Sequence, residues 1–122
     1  KLFVPYASPG SDDYPHLVLS RPIVAMAGEI ATETYLAIGP FDDETQARNA
    51  AEYMSTTFFR FMLNLLRVSQ HITRGVYELV PIQDFSILWT DASLMEKYGL
   101  SPEELSFMQR FIKPVSWAGQ YF

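Results

Sequence analysis

Cysteine is missing from all 122 residues, and histidine is scarce, with only His16 and His71. The first absence excludes a disulfide framework, a zinc–thiolate site and a thiol nucleophile. The second excludes a multi-histidine metal site, and neither histidine sits in a His-Glu-x-x-His helix. No Gly-rich phosphate loop, dinucleotide fingerprint or Gly-x-Ser-x-Gly elbow occurs. Lysine is limited to Lys1, Lys97 and Lys113, and the residues two before the last two are Met95 and Phe111. A metal-dependent nuclease of the common type needs an acid at that spacing to hold the ion and activate water. No apolar run approaches the ~20 residues that span a bilayer, so no membrane partner is expected. The apolar fraction, 48%, is too high for a disordered chain. Its length fits a single domain, residues 1–122.

Positive charge is also in deficit: nine Lys and Arg face fourteen Asp and Glu, for a net −5. That balance argues against a general nucleic-acid coat. The average conceals an asymmetry. Residues 45–75 contain Arg48, Arg60, Arg67 and Arg74 against Glu52 alone, a local +3, which leaves −8 for the remainder. The chain begins at Lys1 with no initiator Met and no charged-plus-apolar leader, so it is expected to be a piece excised from a longer protein.

The first forty residues read as β structure. Leu2–Val4, Leu17–Leu19, Ile23–Met26 and Glu33–Ile38 are candidate strands, punctuated by Pro5, Pro22 and Gly39-Pro40. A long helix follows, capped by Asp42 or Asp43 and ending between Gln70 and Gly75. Ala47, Ala51, Met54, Phe58, Phe61 and Leu65 recur at helical spacing, and Phe59, Met62 and Leu66 widen that face nearly all round. Val76–Val80 reads as a strand stopped by Pro81. Two short helices complete the pattern. One runs from about Ala92 to Tyr98 and stops at Gly99. The other opens on Ser101-Pro102-Glu103-Glu104, where a cap, a first-turn proline and a reciprocal glutamate coincide, and closes before Pro114. The expected fold is therefore α/β of the α+β kind: a small, mainly antiparallel sheet packed on one long helix plus two short C-terminal helices.

The acidic neighbours Asp12-Asp13, Asp42-Asp43 and Glu103-Glu104 suit turns and caps better than paired acid–base catalysis. The chain is not expected to be catalytic or to bind a cofactor or metal itself. Trp89, preceding Thr90-Asp91, reads as a core anchor beside a helix start, and Trp117 as a contact with the rest of a longer protein.

One constellation carries chemistry. Arg60, Arg67, His71 and Arg74 fall within about 60° of one another around a continuous helix, a single cationic stripe with Ser69 and Gln70 beside its end. Arginine and glutamine bind phosphate or make two-pronged contacts with guanine and adenine edges. The same stripe also suits a solvated face favoured by the helix dipole. Arg60 is distinct, because it sits among Phe58, Phe59 and Phe61. A guanidinium among rings is either a buried ion pair, with Glu52 or Glu33, or a site residue.

Several segments then follow in order: Glu33 to Phe41; Ala47 to Ala50; Phe58-Phe59-Arg60-Phe61; Ser69 to Arg74; Val80 to Phe85; Trp89-Thr90-Asp91; Lys97 to Leu100; and Phe107 to Pro114. This series, within residues 20–115, resembles the C-terminal domain of bacterial restriction–modification proteins. Those proteins carry an adenine-specific DNA methyltransferase, a restriction endonuclease or a helicase–nuclease assembly. In them, a strand, a helix and a strand ending in Val-Pro or Ile-Pro resemble half of a target-recognition region.

The resemblance implies a cytoplasmic, non-catalytic DNA-recognition domain at the C-terminus of a larger enzyme. Its partners would be double-stranded DNA and the other domains of that enzyme. S-adenosylmethionine and Mg²⁺ would belong to the larger enzyme. The residues expected at DNA are Arg60, Arg67, Ser69, Gln70, His71 and Arg74, with the arginines on phosphate and Gln70 and His71 on base edges. The alternative is a structural docking module, in which the apolar helix and aromatic tail pack onto the catalytic domains.

Overall fold

A computed structural model of the chain describes residues 1–5, 21–25, 28, 30, 35–66, 80–112 and 115. The expected strands at Leu17–Leu19 and Val76–Val80 lie outside them, apart from Val80, as do Asp12-Asp13, His16 and Trp117.

Three strands form an antiparallel sheet: β1 (Leu2–Pro5), β2 (Ile23–Val24) and β3 (Tyr35–Ile38), in the order β2-β1-β3. Leu2 faces Val24 on one side and Ile38 on the other, and Val4 faces Leu36. The apolar run at residues 2–4 makes a central strand because Leu2, Phe3 and Val4 are all buried. A strand covered on both faces reads as continuous apolar sequence rather than alternation.

Four helices lie among the described residues: α1 (Glu44–Met54), α2 (Thr57–Leu66), α3 (Asp91–Tyr98) and α4 (Pro102–Phe111). Asp43 caps α1, its Oδ1 accepting from the Gln46 amide at 2.8 Å. Thr90 and Ser101 cap α3 and α4 in reciprocal capping boxes, with Ser93 and Glu104 reaching back to the cap amides. The α+β architecture matches the expectation.

The single long helix does not. It breaks at Ser55-Thr56, and the cause is hydroxyl chemistry. Ser55 Oγ donates to the Ala51 carbonyl at 2.9 Å, and Thr56 Oγ1 donates to the Tyr53 carbonyl at 2.6 Å. Thr56 Oγ1 also accepts from the Phe59 amide at 3.1 Å, which makes it the cap of a new helix. Short hydroxyl side chains compete with the helical ladder in this way, and apolar periodicity alone does not register it.

The break lets two short helices cover different surfaces. Ala47, Ala50, Ala51 and Met54 of α1 and Phe58, Phe59 and Leu63 of α2 share one buried core with Leu2, Val4, Val24, Trp89, Leu94 and Ile112, and α1 lies against β2. The helix α2 also packs on α3 and α4.

At the end of α3, Gly99 adopts φ +65°, the left-handed stop, and a Cβ placed there meets nothing within 4 Å. Its requirement is therefore backbone strain alone. Gly99→Ala is expected to cost roughly 1–2 kcal/mol by chemical denaturation, and Gly99→Asn less, because asparagine tolerates this region. Equal losses for both would contradict that origin.

Candidate functional site

The break at Ser55-Thr56 exposes the first amides of α2, and a helix N-terminus carries unsatisfied donors and partial positive charge. Asp91, the first residue of α3, supplies both needs from 33 and 34 positions away. Its Oδ1 accepts from the Phe58 amide at 2.9 Å and its Oδ2 from the Thr57 amide at 3.1 Å. One carboxylate thus joins the beginnings of two helices.

Arg60 lies in the opening turns of the same helix and is 1% exposed. Its Nε donates to the Thr56 carbonyl at 3.3 Å. Burial lowers its pKa to about 10, and the negative charge of Asp91 opposes that fall. Of the two readings open for Arg60, this burial favours the structural one. Among the described residues the acid whose field acts on it is Asp91 rather than Glu52, while Glu33, the other acid expected, lies outside the described residues. A guanidinium this deeply covered does not reach a phosphate from the surface, so Arg60 is reassigned to the framework.

A second set of polar contacts secures the irregular segment 80–90 between α1 and α3. Tyr53 Oη donates to the Pro81 carbonyl at 2.8 Å, and Asn49 Nδ2 donates to the Phe85 carbonyl at 2.9 Å. Gln83, 5% exposed, donates through Nε2 to Tyr98 Oη at 2.8 Å and accepts at Oε1 from Lys97 Nζ at 2.5 Å. The same Nε2 lies 3.4 Å from Tyr53 Oη. Trp89 is buried, and its Nε1 donates to the Asp84 carbonyl at 2.9 Å, which fits the expected core anchor. Lys97 Nζ sits 4.9 Å from the Trp89 ring, a cation–π placement. In a segment with no backbone ladder, side chains can satisfy buried carbonyls, as they do for Pro81, Asp84 and Phe85.

The electrostatics follow from burial. Tyr53 is held protonated up to about 12, chiefly because its phenolate would be desolvated, with Tyr98 adding to the rise and the Gln83 hydrogen bond opposing it. Asp84 is exposed and held below the usual carboxylate range by Ser86, whose hydroxyl and amide both donate to it. Beside this network, Ile38 to Phe41, Tyr53, Phe59 and Pro81 to Phe85 line an open, ring-walled cavity of about 430 Å³.

The remaining expected DNA-contact residues, Arg67, Ser69, Gln70, His71 and Arg74, lie outside the described residues. They follow directly on Leu66, the last residue of α2. Asp42-Asp43 and Glu103-Glu104 serve helix starts, as their sequence positions suggest. Sequence reasoning missed the roles of Asn49, Gln83, Lys97 and Tyr98 and the clamp at Asp91. No protein family, curated protein or solved structure matches the chain.

Two outcomes test the site's energetics. Asp91→Ala removes the acceptor of the first two amides of α2 and the negative charge acting on Arg60, and is expected to cost about 2–4 kcal/mol in urea unfolding. Arg60→Met should cost less, and adding it to Asp91→Ala should recover stability. Strict additivity would show that the two groups do not interact. Tyr53 binds its proton more tightly folded than unfolded, so the stability it contributes is present below pH 10 and lost between pH 10 and about 12. Tyr53→Phe should delete a phenolate that forms near pH 12 from the alkaline absorbance titration and remove that loss, while costing about 1 kcal/mol at neutral pH.

Proposed function

We propose that this chain is a non-catalytic DNA-recognition domain of a restriction–modification enzyme, one carrying an adenine-specific DNA methyltransferase or a restriction endonuclease. The ordered motif series carries the reading. Pieces separated by tens of residues in the chain meet in the fold: Asn49 holds Phe85, Phe58 and the preceding amide hold Asp91, and Gln83 joins Lys97 and Tyr98. Segments that pack on one another form a unit, which supports treating the series as a signature of one domain.

Within this reading the contacts belong to the segment that follows α2. Arg67 and Arg74 neutralise phosphates, while Gln70 and His71 meet base edges and Ser69 adds a single hydrogen bond. Arg60 acts indirectly, by fixing the helix from which the segment continues. The acidic remainder then confines attraction to one stretch, which favours an oriented approach to the duplex over a diffuse one. The described residues include no helix long and apolar enough to cross a membrane.

The test is DNA binding by the protein that carries this domain, titrated against salt with a labelled duplex. Removing two phosphate contacts with Arg67→Ala and Arg74→Ala should weaken binding and flatten the logarithmic salt slope by roughly 2, since each neutralised phosphate contributes about 0.9. Gln70→Ala should relax discrimination between sites by about 1–3 kcal/mol with little effect on that slope. Unchanged affinity and slope in the double arginine variant would overturn the proposal.

A further inference from the structure

The described surface is not uniformly polar where α2 meets α4. Phe61, Phe107 and Phe111 form a ring cluster with centroids 5.1–6.4 Å apart, and Phe107 is still 49% exposed at its crest. Leu65, one turn beyond Phe61, is 62% exposed. Between the helices lies an open groove of about 380 Å³, floored by Phe58, Met62 and Met108 and edged by Glu103 and Glu104. A trough between two packed helices, apolar at its base, has the shape into which a third helix lays its apolar face.

Its charge narrows the occupant. Glu103 and Glu104 open α4, are exposed and stand at the rim. A phosphate backbone or an anionic lipid surface brought to that rim meets two carboxylates, whereas lysine or arginine on a helix flank meets partners. Arg110 sits over the Phe107 ring at 5.9 Å, toward the other end of α4, so the acids mark one end of the groove.

We infer that the α2–α4 groove is a docking site for an amphipathic helix of a protein partner, one that places apolar side chains on Phe61, Leu65 and Phe107 and basic side chains beside Glu103 and Glu104. This develops the docking alternative read from sequence by naming its surface and the chemistry of its partner. It does not depend on DNA recognition, because the residues assigned to DNA lie on a different segment.

The experiment uses the full chain and two synthetic helical peptides with identical leucine faces, one flanked by lysine and one by glutamate, followed by fluorescence anisotropy. The lysine peptide is expected to bind saturably and more weakly with added salt, and the glutamate peptide at least about tenfold more weakly. Phe107→Ala should reduce affinity about tenfold, as truncation of an aromatic anchor does. Glu103→Gln with Glu104→Gln should weaken binding and remove its salt dependence, since glutamine preserves the capping box. Should Phe107→Ala fail to fold, Leu65→Ser at a still more exposed position replaces it, with the same expected loss.

The inference falls if neither peptide binds, if both bind equally, or if the groove variants bind like the original chain. It also falls if duplex DNA, anionic vesicles or a second copy of the chain occupies the groove, seen as protection of Phe107 or as a dimer that Phe107→Ala abolishes. Loss of DNA binding in Arg67 and Arg74 variants with unchanged peptide binding would separate the two surfaces.

Discussion

Two oxygens of Asp91, each accepting one backbone amide at the start of α2, bear more of this architecture than any other polar contact described. The need for them is created by Ser55 and Thr56, whose hydroxyls interrupt the helix and leave a buried N-terminus. A buried helix start without acceptors is strongly disfavoured. Once a carboxylate is drawn in, a buried guanidinium becomes tolerable, and Arg60 occupies that position instead of a ring or a void. The clamp also dictates the path of the chain: Asp91 must return to α2, so segment 80–90 must cross the face of α1 to deliver it.

That crossing explains the polar residues inside the domain. Segment 80–90 has neither ladder nor helix, so Asn49 and Tyr53 of α1 hold its Phe85 and Pro81 carbonyls, and Lys97 and Tyr98 of α3 hold its Gln83 side chain. Burial of the Tyr53 hydroxyl raises its pKa, against the opposing pull of the Gln83 hydrogen bond. The motif residues in the described region are thus tied to one another, and their common work is to hold α1, α2 and α3 in register. Within the proposed function, contact with DNA falls to residues 67–74, which follow α2 in the chain.

Charge is partitioned along the same lines. Arginine at position 60 is inside, the acids at 43, 91 and 104 are spent on helix starts, and Glu103 and Glu104 remain at the lip of an apolar groove.

Local signals were legible from the chain alone wherever a few neighbouring residues decide the outcome. The capping boxes, the glycine stop at 99, the proline start at 102, the apolar strand at 2–4 and the anchoring role of Trp89 all fall in this class. Their energies come from backbone donors and sterics within one turn of the residue concerned. The break at Ser55-Thr56 belongs to the same local chemistry, but strong apolar periodicity on both sides masked it. Long-range choices were not legible: that the field of Asp91 reaches Arg60, that Gln83 sits between two tyrosines, and that Phe107 stays half exposed beside Phe61. Each depends on which surfaces packing brings together across fifteen to nearly fifty residues, and no spacing within the chain encodes that meeting.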